Sequence, residues 1–331
     1  MAISAQDVKK LRDLTNAGMM DCKKALTEAN GDFDAAMDLI RKRGQMIASK
    51  RADREATEGI VIAKESDDKK HGAVIMLNCE TDFVATNDKF VALANKILDL
   101  AISSRAADLE ALKALQLDGD TVANKVTELS GIIGEKLELS QYEQVDGEYV
   151  SAYVHAGSRL ATAVAFNQSG FDAQVGKEVA MQVAAMSPVA VDQASIPQET
   201  IDHELKVAIE KTKEEMVKKA VDAALQKAGI NPAHVDTEEH IESNTGKGWI
   251  TAEQAKQARE IKVTEAEKAA ANLKDQMIQN IAQGRLKKYF KESCLMEQES
   301  LVNNKQTVGQ YLEAANKGLK ATKFIRLSLN A

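Results

Sequence analysis

Proline occurs only three times in 331 residues, and aromatic side chains make up 4% of them. With so few breakers and so few rings, long helices rich in Ala and Lys are the expected building material. Cysteine is scarce as well: Cys22, Cys79 and Cys294 are odd in number and far apart. No CxxC pair and no Cys/His spacing suggests zinc, and no disulfide framework is implied. Cys22 falls on an apolar helix face and Cys79 at a strand end, both places for small buried thiols. No run approaches the ~20 apolar residues of a membrane span. The opening MAISAQDVKK lacks the apolar core of a signal peptide and leads straight into a capped helix. A reducing cytoplasm fits these absences.

Chemistry that needs a constellation is missing too. Gly131-Ile132-Ile133-Gly134-Glu135-Lys136 is too short for a GxxxxGK[ST] phosphate loop and reads as a helix ending at Gly134. The five histidines, His71, His155, His203, His234 and His240, show no HExxH or comparable spacing, so neither metal nor cofactor is expected. A thiol enzyme built on Cys79 and His71 is opposed by their opposite positions on a hairpin. The net charge of −7 argues against a nucleic-acid surface over the whole chain, which would need clustered Lys and Arg. What remains is ordinary globular composition, 44% hydrophobic and 28% charged, with length for two or three domains.

The informative stretch is Asn78 to Asp88, NCETDFVATND. Ala73 to Leu77 before it reads as a buried strand. Lys89 to Leu98 after it has helical apolar spacing. Thr81-Asp82-Phe83-Val84 therefore sits in a turn between two rigid elements, where functional groups tend to be placed. An acid stands beside an aromatic there. Phe83 either projects from the turn or folds back into the core.

TDFVATND resembles the strand-to-helix tip of bacterial elongation factor Ts, the guanine-nucleotide exchange factor of elongation factor Tu. A second stretch, residues 11–26 (LRDLTNAGMMDCKKAL), is similar to the family's opening segment. GRLKKYF at 284–290 and TVGQYL at 307–312 match it again. The resemblance covers most of the chain. It implies that Asp82 and Phe83 are the inserted acid–aromatic pair, with Thr81 and Val84 beside them in the contact surface. It implies that His155, in a second hairpin turn, presses on the partner's phosphate-binding region. Met19 and Met20 match methionines that touch the partner's nucleotide domain. The position of Thr86 is often basic in relatives, so a phosphate- or acid-facing contact does not carry over there.

Taken in order, the chain predicts an α+β protein. Residues 1–44 form three short helices resembling a ubiquitin-associated module. Ser4 caps the first, whose Val8, Leu11 and Leu14 make one stripe; Thr15 to Gly18 is a turn; Asp32 caps the third, closed by Gly44. Met19 and Met20 are adjacent, so at least one is exposed while the other can pack inward. Residues 45–58 read as a helical or extended linker. Residues 59–140 make a first core subdomain: a hairpin of 59–63 and 73–77, the tip, helices at 107–117 and 121–133, and a strand at 136–139. Residues 141–198 begin a second, with strands at 149–154 and 160–166 about a turn at His155 to Ser158, and a helix at 173–186. Strand, strand, helix thus occurs twice, as in the two halves of the elongation factor Ts core.

Residues 199–283 predict an arm. A helix at 199–227 carries Ile201, Leu205, Ile209, Met216, Ala220 and Ala224. A polar linker follows at 229–248, and Thr251 caps a second helix running through Ile281. The pair implies an antiparallel coiled-coil hairpin, with about 217–274 enlarged relative to the family. Residues 284–331 return to the core and end on a strand at 324–327, where longer relatives continue into a further helix. The expected activity is release of GDP from elongation factor Tu, met in its GDP and nucleotide-free forms, by an Asp82–Phe83 wedge near magnesium and nucleotide. No catalytic residue, nucleic acid or membrane is involved. The other reading is a coiled-coil scaffold, or a homodimer through the arm, with no exchange activity.

Overall fold

The computed structural model describes residues 3–15 and 17–329; Asn16, in the turn expected at 15–18, lies outside them. Two compact units form, Met1–Val191 with Leu295–Ala331, and Asp192–Cys294. The architecture is mixed α and β, with thirteen α-helices and small sheets among the described residues.

The larger unit opens with α1 (Ala5–Thr15), α2 (Met19–Glu28) and α3 (Phe33–Lys50). The Asp7 N–H donates to Ser4 Oγ and the Ser4 N–H to the Asp7 carboxylate, each at 3.1 Å, a reciprocal cap. Val8, Leu11, Cys22, Ala25, Leu26 and Ala36 pack together beneath. Leu14, expected on that stripe, is 58% exposed. Asn30 and Gly31 turn left-handed (φ 52° and 87°) and end α2, and Asp32 caps α3 through Ala35 N–H at 3.1 Å.

The third helix does not close at Gly44. It runs on to Lys50, because Gly44 lies inside the helix where it crosses α7 (Val122–Ile133). A Cβ built on Gly131 of α7 would fall 2.2 Å from Gly44 Cα. Two backbones meet there, and a glycine that looks like a helix stop from sequence serves as a contact.

The hairpin is β1 (Glu58–Glu65) and β2 (His71–Cys79), antiparallel, with Glu58 opposite Cys79 and Glu65 opposite Gly72. Next come α4 (Asp82–Ala85), α5 (Asp88–Ser104) and α6 (Leu109–Ala114), the last shorter than the expected 107–117 because Asp108 caps it and Leu115 leaves as extended chain. A two-residue ladder, β3 (Gln116–Leu117) with β4 (Asp120–Thr121), precedes α7. Then β5 (Glu138–Asp146) joins the far side of β2, giving the order β1-β2-β5. The second sheet is β6 (Tyr149–Val154), β7 (Leu160–Phe166) and β8 (Ala321–Ser328), in that order.

Alternation along the strands explains why β2 is buried at every position. Ala73, Ile75 and Leu77 face α5 and α7, where Phe90, Ile97 and Leu129 lie. Val74 and Met76 face the other way, onto Val150, Ala161 and Ala163 of the second sheet. The far side of that sheet, Val164 and Phe166, is covered by α8 (Ala173–Met186) and by α13 (Val308–Ala315). Helix, sheet, sheet, helix is the resulting stack.

The second unit holds α9 (Gln198–Lys227), α10 (Glu238–Gly246), α11 (Ala252–Ala271) and α12 (Asp275–Ser293). Three expectations change. The linker at 229–248 contains α10, capped by Thr237. The helix that Thr251 caps breaks at 272–274 and restarts as α12. The buried positions of α9 are Ala208, Thr212, Val221 and Leu225, not the stripe anticipated. One helix is packed against two others in succession, α11 and α12, so its inward face shifts along its length. Val221, Leu225, Ile230, Val235, Ile241 and Ile250 form the core.

Candidate functional site

The turn expected at 81–84 is a single helical turn, α4, entered from a fully buried strand. Thr81 is extended (φ −128°, ψ 154°), and its side chain does not cap the turn. Its N–H and hydroxyl instead donate to the Glu135 carboxylate, at 3.1 and 2.7 Å. Val84 turns inward, 9% exposed, against the core of the first sheet. Asp82 and Phe83 point outward. The Phe83 ring is 82% exposed, which decides between the two placements open to it: it projects. Thr86 closes the turn with its hydroxyl on Phe83 O at 3.0 Å, and Asn87 caps α5 at once.

The foot of the tip is tied down by charge. Glu80 accepts from Arg51 Nη1 at 2.8 and 3.1 Å, from Arg54 at 3.3 Å and from the Lys136 N–H at 2.6 Å. Burial pushes the Glu80 carboxyl up, but the Lys136 N–H and the two guanidiniums together outweigh it and hold it below the ordinary glutamate range. Cys79 is buried, and its thiol donates to Thr81 O at 3.0 Å. Its pKa is pushed up to about 12, first by burial and then by the Glu135 carboxylate. A group so reluctant to ionise is a poor nucleophile. His71 stands at the far end of the same strand and bonds Asp146 through Nδ1 at 2.9 Å.

His155 is exposed, in the turn between β6 and β7, with Nδ1 2.9 Å from the Tyr153 hydroxyl. That turn lies at the same end of the unit as the tip. Ser158 O accepts from Val61 N–H at 2.6 Å, Arg159 pairs with Glu58, and Glu58 faces Cys79 across the hairpin. Met19 and Met20 are both exposed, 58% and 63%. Met19 lines a depression of about 510 Å³ together with Asn87 and Lys89 of the tip's shoulder and Ile132 and Ile133 of α7. Met20 lines a separate hollow with Lys23, Lys24 and Arg43.

The fold therefore brings Asp82, Phe83, His155 and Met19 to one end of the larger unit and turns Val84 away from it. Glu80, Glu135, Ile132 and Ile133 were not anticipated there. Glu80 stood next to the motif in NCETDFV, but its partners Arg51 and Arg54 are 29 and 26 residues away and nothing local announces them. Among the described residues no group of three or more His, Cys, Asp or Glu is placed to hold a metal ion. No helix among them is long and apolar enough to cross a membrane.

The sequence profile of the family described as Elongation factor TS matches residues 80–331. The chain is 53% identical to the Elongation factor Ts of Phocaeicola vulgatus and 52% identical to that of Bacteroides thetaiotaomicron, over 332 positions covering all of both chains. Identity to the Elongation factor Ts of Amoebophilus asiaticus is 41%, again over the full length of both. With a profile running from the foot of the tip to the last residue, and relatives matching from end to end, the chain belongs to the elongation factor Ts family.

Proposed function

We propose that this chain accelerates release of GDP from elongation factor Tu by seating the Asp82–Phe83 tip beside the partner's magnesium and nucleotide. The observation that carries the reading is the Phe83 ring, 82% exposed on a turn whose neighbours are buried or hydrogen-bonded. A large ring left in water on a rigid support gains most when a partner covers it. A bound diphosphate is held by backbone amides, a lysine and a magnesium ion fixed by oxygens and water. An aromatic wedge displaces side chains around such a site, and a carboxylate at its flank disturbs the metal's water network. No covalent bond is made or broken. Factor and nucleotide weaken each other's binding reciprocally, so the factor holds the nucleotide-free form best and the GDP form less well.

In this reading His155 and Met19 make accompanying contacts at the same end, and Met20 extends the module's contact. Thr81 and Val84 serve from within, one bonded to Glu135 and the other packed in the core. The larger unit, Met1–Val191 with Leu295–Ala331, acts as the exchange body, and the unit Asp192–Cys294 holds the arm. Stopped-flow release of a fluorescent GDP from elongation factor Tu tests this. The wild-type chain is expected to accelerate release, and Phe83→Ala to lose about thirtyfold or more of the effect while keeping its fold, as truncation of an aromatic hot spot does. A folded variant that exchanges at the full rate refutes the wedge. Stable self-association with no effect on release would mark a scaffold instead.

A further inference from the structure

The helical module and the tip are joined at two places, neither of them a flexible linker. The first is the crossing of α3 and α7. A Cβ on Gly131 would lie 2.2 Å from Gly44 Cα and 2.7 Å from its carbonyl carbon and oxygen, so the two helices touch backbone to backbone. Side chains cannot slide past one another at such a contact, since there are none, and the module takes one position on α7. The second is the end of each helix. Past Lys50, Arg51 and Arg54 grip Glu80, one residue before Thr81. Past Gly134, which ends α7 left-handed at φ 83°, Glu135 grips Thr81 itself, and Ser130 holds the Glu135 carbonyl at 2.5 Å.

Both helices that meet at the glycine pair thus end on the foot of the tip. We infer that Gly131, Glu80 and Glu135 are positioning residues that lock the methionine face and the Asp82–Phe83 tip into one rigid template, so that docking the first delivers the second in register. The inference rests on the exchange reading above. Its physical content is that the two contacts are coupled: rigid presentation removes the ordering cost that a tethered tip would meet separately. Glu135 and Glu80 touch no nucleotide. They act only through the backbone they hold.

The test separates maximal release rate from the factor concentration giving half-maximal effect, measured by stopped flow on full-length chains. Glu135→Ala is expected to lower the maximal rate about tenfold, the loss of one charge-assisted anchor, while shifting the half-maximal concentration less than twofold. Glu135→Gln, which keeps one acceptor for Thr81, should recover part of that rate. Amide exchange followed by mass spectrometry should show residues 80–86 losing protection in Glu135→Ala with the strands unchanged. In the wild-type background, Phe83→Ala and Met19→Ala should be non-additive; in Gly131→Ala they should become additive. Glu80→Ala replaces Gly131→Ala in that cycle if the glycine variant fails to fold. A wild-type chain that leaves GDP release unchanged overturns the exchange reading. Normal wild-type exchange, with full maximal rate and unchanged tip protection in Glu135→Ala, overturns the positioning inference alone.

Discussion

The tip and the arm are built by opposite means. Around the tip, a strand buried on both faces, a carboxylate on Thr81 and another gripped by two arginines and a backbone N–H restrict every residue except Asp82 and Phe83. In the unit Asp192–Cys294, helices pack through Ala208, Thr212, Ala255 and Ala258 with Val, Leu and Ile between them, and Phe290 near the end of α12 is a buried ring. Where backbone groups are pinned by charge, one side chain can be left in water without loss of form. Where small aliphatic contacts hold helices together, stability depends on each apolar residue and little is specified at the surface.

The sharpest way to break the comparison is Leu225→Ala in the arm. Leu225 is 2% exposed, and deleting it should cost about 2–5 kcal/mol, read as an earlier thermal transition of the helical unit, with GDP release little changed. Phe83→Ala should do the reverse, leaving the thermal transitions in place and removing about 2 kcal/mol of transition-state contact in the exchange assay. If either substitution moves both readouts, the two regions are not divided as described.

The glycine pair sharpens it further, because its two members are not equivalent. Gly131→Ala should lower the melting temperature by forcing the backbones apart, at about 1–3 kcal/mol. Gly44→Ala meets only ordinary contacts, 3.6 Å to Gly131 Cα, and should be neutral or stabilising by up to about 1 kcal/mol through its helix propensity. Equal effects in a thermal melt would contradict the crossing.

The smallest effect is electrostatic. The folded chain holds Glu80 below the ordinary glutamate range, so its ties to Arg51, Arg54 and Lys136 add stability at neutral pH. That contribution should fade as pH falls into and below the range in which an unfolded glutamate titrates, and the difference in stability between wild type and Glu80→Gln should shrink with it. Urea unfolding at descending pH checks this; a difference that grows toward acid would reverse the sign.

Much of the tip was legible. The alternation of Ala73 to Leu77 and the helical spacing after Asn87 bracketed it, and the resemblance carried by TDFVATND named its two outward residues. The strands at 149–154 and 160–166 and the helix at 173–186 were readable for the same reason, each being a run with one period and clear turn residues at its ends. The arm was read less well. Its small residues carry little amphipathic contrast, so the face of α9 that turns inward depended on which helices lay against it, and Asn272 gave only a faint sign of the break before α12. Gly44 misled because a glycine stopping a helix and a glycine touching another helix are the same letter.

Local order along this chain follows from short-range rules, since caps, left-handed glycines and alternating strands act within a few residues of one another. Long-range pairing does not. That Arg51 would find Glu80, that Glu135 would hold Thr81, and that His155 would come to the end where Phe83 projects were settled only when two sheets packed face to face and two glycines let their helices meet. Those partners lie tens of residues apart, and burial of the shared core, not any local preference, brings them together.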